Sequence, residues 1–250
     1  MRFNLLDTIL FSLMLIFVSC FPYSRLGIEL IYQNIIAIGL RLLVLIYYIY
    51  IIYRNRIKIF GIANIKNILI CVPFLIACFS NLIAYKIDGG QLISPRINTP
   101  IFITDIIIVF LTALLEEIVF RLFIHTSLTR VGSIKRILGS AGIFALMHLI
   151  NIVNVSSVDA LVSLLIQVVY TFGLGLMLGF LYEYSHSLTA CVVLHFIFNM
   201  LNSFLVSYFM TGISEMAMYL TAVVIAAILL IYSCLVYYYH LRGNEKYFRE

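Results

Sequence analysis

Six polar side chains with the chemistry of hydrolytic enzymes lie inside long apolar stretches of this sequence. They are Glu116, Glu117, Arg121, His148, His195 and Asn199. A carboxylate or an imidazole can take a proton from water, and imidazole or amide donors can stabilise an oxyanion. Because ionisable groups are costly inside a bilayer, their presence in membrane-spanning stretches would indicate a functional site.

The first group is Glu116-Glu117-Ile-Val-Phe-Arg121. On a helix, Glu117 and Arg121 are four residues apart with the acid first, the favourable order for an ion pair. Glu116 is rotated by about 100° from Glu117. The spacing therefore predicts a structural Glu117–Arg121 pair and leaves Glu116 free to face a cavity. The alternative is that both acids neutralise Arg121 or anchor a helix end.

The second and third groups place an imidazole on one helix face with a partner four residues away. They are Phe144-Ala-Leu-Met-His148 and His195-Phe-Ile-Phe-Asn199. We expect the Phe144 ring to pack against His148 and orient it. Taken singly, each group also fits a simpler interpretation: His148 as a packing residue, and His195 with Asn199 as an interhelical hydrogen-bonding pair.

The depths of these residues favour a joint site. Counted from the predicted cytoplasmic ends of their helices, Glu116 lies at about 18 Å and His148 at about 16 Å. His195 lies at about 11 Å and Asn199 at about 17 Å. Unrelated helices have no reason to carry polar residues at similar depth, so we expect the four side chains to converge on one cavity within the membrane.

The same residues leave the question of a cofactor open. Glu116, His148 and His195 could hold zinc, since His and Glu are common zinc ligands. An amide such as Asn199 is a less usual ligand, which favours an arrangement with little or no metal. The sequence contains no HExxH motif, no Gly-rich phosphate loop and no nucleophile elbow.

Composition defines the elements that must position this site. Of 250 residues, 64% are hydrophobic and only 11% are charged, and the mean hydropathy is +1.11. Apolar runs long enough to span a bilayer recur along the chain. They lie near Leu5–Phe21, Ile31–Tyr53, Ile68–Tyr85, Phe102–Ile124, Ile137–Val153, Val158–Tyr182, Leu188–Phe209 and Met216–Tyr239.

These runs predict an all-α, polytopic membrane helix bundle of about eight transmembrane helices. We expect residues 1–250 to form a single transmembrane domain, with a motif-bearing core at about 102–209 and accessory spans at 1–101 and 210–250. Eleven of the sixteen basic residues fall on one side when both termini are placed in the cytoplasm, as the positive-inside rule requires. Because the charges lie in short loops, the net charge of +5 does not indicate nucleic-acid binding.

Two further features concern packing. Gly175 and Gly179 form a GxxxG pattern, which lets helices approach closely. His125 lies near a predicted span end, where we expect an interfacial role.

At the three motifs, the sequence resembles the CPBP family, which groups type II CAAX prenyl endopeptidases with bacteriocin-processing and immunity proteins of the Abi group. The family pattern EExxxR, FxxxH and HxxxN is matched without departure and in order. The resemblance implies an intramembrane endopeptidase in which Glu116 and His148 activate water. It also implies that His195 and Asn199 bind the oxyanion or complete a metal site, while Glu117 and Arg121 hold their span in register.

Three classes of function compete at this point. The first is a protease acting on a membrane-associated peptide or lipidated protein, such as a bacteriocin or pheromone precursor or a prenylated C-terminus. The second is a non-proteolytic immunity protein or membrane scaffold, which has no need of the full polar set. The third is a small transporter, against which stands the lack of repeat symmetry. The Ile-rich composition favours the cell membrane of a bacterium.

Overall fold

The computed structural model of the protein describes residues 5–57, 77–79, 83–84, 86, 91–94, 96–128, 131–211 and 215–236. The predicted third span, near Ile68–Tyr85, lies mostly outside the described residues. So do the two ends of the chain and several of the basic residues that orient it. The cytoplasmic placement of both termini, and the division into core and accessory spans, therefore stay predictions.

The described chain is a succession of helices. They are α1 (Leu5–Cys20), a 3-10 turn (Tyr23–Leu26), α2 (Leu30–Arg54), α3 (Thr99–Glu117) with a π-helical continuation (Ile118–His125), α4 (Ser133–Met147) with a 3-10 continuation (His148–Asn154), α5 (Val158–Ser185), α6 (Leu188–Asn199) with a π-helical continuation (Met200–Phe204), α7 (Leu205–Phe209) and α8 (Glu215–Val236). Two short strands, β1 (Gln91–Leu92) and β2 (Met210–Thr211), pair antiparallel. The all-α prediction is confirmed, with this one small addition.

Four helical stretches of the described chain are long and apolar enough to cross a membrane. They are Leu30–Arg54, Ser133–Val153, Val158–Ser185 and Leu188–Phe209. Their outer faces carry exposed apolar side chains, such as Leu43 and Ile46 at 64% and 63% exposure. Such surfaces suit lipid and not water, so the chain is an integral membrane protein. The number of eight spans stays a prediction.

Local sequence fixes where the motif-bearing helices begin. The Asn98 side chain accepts a hydrogen bond from the Ile101 backbone N–H, with Pro100 in the first turn of α3. Ser157 and Ser187 cap α5 and α6 in the same way. A side-chain acceptor at this position satisfies a backbone donor that the helix itself leaves unpaired.

The closest helix contact described involves α4 and α5. A Cβ atom at Gly175 would lie 3.0 Å from the Cα of Ala141 and 3.1 Å from Cδ1 of Phe144. One at Gly179 would lie 3.1 Å from Cγ2 of Ile137. The predicted role of the GxxxG pattern in helix packing is therefore confirmed. It brings α5 directly against the residue that orients the histidines.

Helices α1 and α2 support the π-helical continuation of α3 through an aromatic cluster. The centres of the Phe11 and Phe123 rings lie 4.3 Å apart, and the centres of the Tyr48 and Phe123 rings lie 5.4 Å apart. The Tyr48 hydroxyl donates a 2.6 Å hydrogen bond to the carbonyl oxygen of Phe11, which joins α2 to α1. These contacts hold the segment that contains Arg121 from its outer side.

Polar contacts join α2 to α3 along their shared face. The Asn34 amide donates to Asp105 at 2.7 Å, and Arg41 Nε donates to Thr112 Oγ1 at 3.1 Å. The Tyr208 hydroxyl donates to the other oxygen of Asp105 at 2.5 Å. Such interhelical bonds satisfy polar groups that lipid would leave unpaired. They fix α2 and the end of α7 relative to the helix that carries Glu116.

We expect Gly175→Ala to destabilise the protein, because the new Cβ overlaps the backbone of α4. Overpacking of this kind costs about 1–3 kcal/mol. Gly142→Ala is the matched control, since a Cβ at Gly142 meets nothing within 4 Å and the same helix-propensity gain applies. Thermal unfolding in detergent should show a lower Tm for the Gly175 variant alone. Equal melting of both variants would contradict the close approach.

Candidate active site

A cavity of about 260 Å³ lies among α3, α4, α5 and α6. Glu116, His148, His195 and Asn199 all line it. The convergence predicted from their depths is therefore confirmed by position. The rest of the wall combines apolar side chains, such as Ile108 and Phe198, with further polar ones. A concavity on which several polar groups converge is a candidate binding or active site.

A buried carboxylate joins two of the motifs. Glu117 Oε2 accepts a 2.8 Å hydrogen bond from Arg121 Nε, so the predicted ion pair is confirmed. Glu117 Oε1 lies 2.9 Å from Nδ1 of His195. Both Glu117 and Arg121 are 0% exposed. The second contact was not predicted, because the spacing within one helix carries no information about a residue 78 positions further on.

Ser140 of α4 completes the surroundings of Arg121. Arg121 Nη1 donates to Ser140 Oγ at 3.3 Å, and the Ser140 hydroxyl donates in turn to the Phe120 carbonyl oxygen at 2.8 Å. Arg121 Nη2 has no hydrogen-bond partner among the described residues. The guanidinium carbon instead lies 5.6 Å from the centre of the Phe144 ring, within the range of a cation–π contact.

Phe144 is the common neighbour of both histidines. Its ring meets His148 edge to face at 5.1 Å and His195 edge to face at 5.8 Å. It also packs against Phe120 at 4.8 Å. The predicted contact between Phe144 and His148 is confirmed, and the ring orients a second imidazole as well.

Hydrogen bonds select which nitrogen of each imidazole faces the cavity. His148 Nδ1 lies 2.9 Å from the carbonyl oxygen of Phe144. A carbonyl only accepts, so Nδ1 carries the proton, and in the neutral ring Nε2 keeps its lone pair. His195 Nδ1 faces Glu117, so its Nε2 points the other way and lies 3.5 Å from Glu116 Oε2. Glu116 and His195 therefore face each other across the cavity wall.

Helical winding changes at the end of each motif-bearing α-helix. The α3 helix becomes π-helical after Glu117, and α6 becomes π-helical after Asn199. The α4 helix becomes 3-10 at His148. Departures of this kind occur often at functional sites, because they alter side-chain register and free carbonyl groups. The Ser140 bond to Phe120 satisfies one such carbonyl.

Helix α5 contributes polar residues to the cavity that sequence reasoning missed. Gln167, Tyr170 and Thr171 line the wall together with Leu174. Their spacing of three and four residues places them on one helix face. That spacing, inside a long apolar run, was the available signal. No recognised motif drew attention to it.

His125 lies at the end of the π-helical continuation of α3, next to the predicted span end at Ile124. Its side chain is 2% exposed, and Nε2 lies 2.7 Å from Glu183 Oε2 of α5. Arg136 of α4 binds the same carboxylate at 2.5 and 3.1 Å. Neighbouring helices thus bury the His125 side chain in a polar contact among α3, α4 and α5, and its interfacial role stays a prediction.

A metal site built from Glu116, His148 and His195 stays an untested alternative. Among the described residues, no group of three or more His, Cys, Asp or Glu side chains is arranged to hold a metal ion. His195 Nδ1 is already engaged by Glu117, and His148 Nδ1 by a carbonyl.

The fold defines a polytopic membrane protein with a cavity between its helices on which several polar side chains converge. Residues 98–201 match the model of the type II CAAX prenyl endopeptidase Rce1-like family, which confirms the resemblance carried by the three motifs. The match supports an intramembrane endopeptidase of the CAAX type as the general class of activity. Neither curated proteins nor solved structures give a match to the chain.

We expect Arg121→Met to reduce stability strongly, because it leaves the Glu117 charge buried without its cationic partner. Breaking a buried pair from one side costs about 3–5 kcal/mol. The double variant Glu117→Gln/Arg121→Met removes both charges and should recover most of that loss. Denaturant unfolding in detergent measures the two free energies. A double variant no more stable than the single one would show that the pair is not the cause.

Proposed function

We propose that the protein is an intramembrane endopeptidase that hydrolyses a peptide bond in a membrane-associated peptide or lipidated protein precursor. The observation that carries the proposal is the convergence of Glu116, His148, His195 and Asn199 on one cavity. These side chains come from three helices, and together they offer a base, imidazole groups and an amide donor. Polar side chains that only hydrogen-bond helices to each other would not need to surround a cavity in this way.

In the proposed reaction, a water molecule in the cavity attacks the carbonyl carbon of the scissile bond. Glu116, assisted by the His148 Nε2 lone pair, takes one proton from that water. His195 Nε2 in its protonated form and the Asn199 amide stabilise the oxyanion by donating hydrogen bonds. As the intermediate collapses, the C–N bond breaks and the proton passes from Glu116 to the leaving amine. The products are a new carboxyl group and a new amino group.

Glu117 and Arg121 act as positioning residues in this proposal. Neither touches the cavity, and both are fully buried. Glu117 holds the His195 ring through Nδ1, so that Nε2 faces the cavity and Glu116. A carboxylate behind an imidazole fixes its orientation and stabilises its protonated form.

The wall of the cavity indicates the kind of substrate. Ile108, Val109, Leu174 and Phe198 give it an apolar lining beside the polar groups. Apolar side chains next to the scissile bond would be favoured there, which suits a segment presented from lipid. Bacteriocin or pheromone precursors in a bacterial membrane, and prenylated C-termini, are the substrate classes that we propose to test.

We expect Glu116→Gln to reduce cleavage by about 100-fold or more, the usual contribution of a general base. Asp159→Asn is the matched control, because it makes the same chemical change at an exposed position at the start of α5. The assay is cleavage of membrane-associated peptide precursors by the purified protein, with and without a chelator. Retained melting temperatures would show that both variants are folded.

The outcomes separate the alternatives. Cleavage lost in the Glu116 variant but kept with chelator supports hydrolysis by the side chains. Cleavage lost under both conditions supports a metal site on Glu116, His148 and His195. Full biological function of the Glu116 variant would overturn the proposal and favour the immunity or scaffold role.

A further inference from the structure

The cavity wall supplied by α5 contains a hydroxyl group that the three motifs do not include. Tyr170 lines the cavity together with Glu116 and Asn199. Its ring lies 6.1 Å from that of Phe198, the residue immediately before Asn199. The Tyr170 ring thus packs against α6 in the same cavity that the proposed oxyanion donors line.

A chain of amide groups leads to this hydroxyl. Asn151, three residues after His148, donates from Nδ2 to Gln167 Oε1 at 3.4 Å. Gln167 lies three residues before Tyr170 on the same face of α5 and lines the same cavity, so its amide can turn toward the phenol. With Oε1 occupied by Asn151, the Gln167 amide nitrogen remains available as the donor to Tyr170. A phenol oxygen that accepts from Gln167 keeps its own O–H for the cavity.

The neighbouring polar group on α5 has a different use. The Thr171 hydroxyl donates to the carbonyl oxygens of its own helix, to Gln167 at 2.7 Å and Val168 at 3.1 Å. Such local bonding satisfies the hydroxyl within the helix. A tyrosine hydroxyl lies too far from its own helix backbone to be satisfied in this way, so other groups must orient the Tyr170 O–H.

We propose that Tyr170 is a further catalytic residue of this site, donating a hydrogen bond to the oxyanion of the tetrahedral intermediate, and that Gln167 and Asn151 orient its hydroxyl. The inference rests on the proposed function. Tyr170 transfers no proton: the water proton still passes by Glu116 to the leaving amine, and the phenol only shares its hydrogen while negative charge is on the oxygen. A donor aimed at charge that develops in the transition state raises kcat more than it changes KM.

The arrangement also couples α4 to α5 at the site. Asn151 belongs to the 3-10 segment that begins with His148, so the same segment positions the proposed base and starts the amide chain. Loss of Gln167 should therefore affect the direction of the Tyr170 hydroxyl while its ring remains packed on Phe198. Gln167→Leu tests this orientation without removing the phenol.

The experiment compares kcat and KM for the wild type, Tyr170→Phe, Gln167→Leu and Glu116→Gln on one cleaved peptide. Tyr182→Phe is the matched control, because Tyr182 lies on the same helix outside the cavity. We expect Tyr170→Phe to lower kcat by about 100- to 1,000-fold with KM nearly unchanged, the usual cost of removing one oxyanion donor. Gln167→Leu should lower kcat less, and Tyr182→Phe should leave it within about twofold, as for a change with no part in transition-state binding.

The results distinguish this inference from the function on which it rests. If Glu116→Gln abolishes cleavage while Tyr170→Phe retains full kcat, the role of Tyr170 is overturned and the endopeptidase proposal stands. If Glu116→Gln also retains cleavage, or the wild type cuts no peptide of the panel, both are overturned. If Tyr170→Phe does not fold, a Gln167→Leu variant with unchanged kcat is sufficient to reject the oriented donor.

Discussion

The arrangement of the site depends on one buried carboxylate. Glu117 presents one oxygen to Arg121 of its own helix and the other to His195 of α6. In a medium without water, this carboxylate needs both partners, and each partner needs it. The hydrogen bond to His195 fixes the rotation of α6 relative to α3, and the contacts of Arg121 with Ser140 and Phe144 do the same for α4. Glu116, one residue earlier, then turns toward the cavity and toward the free nitrogen of His195.

Close packing of α4 against α5 performs the second task of positioning. Gly175 has no side chain, so α5 approaches Ala141 and the edge of the Phe144 ring. That ring then touches Arg121, His148 and His195. A single aromatic side chain thereby fixes three polar groups that belong to three different motifs. Gly175 and Phe144 are therefore parts of the same packing arrangement.

Much of the site followed from spacing within single helices. Glu117 with Arg121, Phe144 with His148, and the GxxxG pattern all lie four residues apart, and helix geometry alone brings such pairs together. Similar depth in the bilayer also predicted a common cavity. Two aspects were beyond this reasoning. The wall residues Gln167 and Tyr170 belong to no motif, and the burial of His125 depends on Glu183, which lies 58 positions further on in another helix.

The sequence by itself determined the membrane-spanning character, the helical class and the identity of the six polar residues. Length, hydropathy and short-range spacing are all properties of the linear sequence. The tertiary structure decided what those residues contact. The sharing of Glu117 by Arg121 and His195, the orientation of each imidazole, and the place of Tyr170 beside Asn199 depend on the rotation and offset of neighbouring helices. Those quantities are set by packing at Gly175 and Phe144, between residues far apart in the chain, and no spacing within one helix contains them.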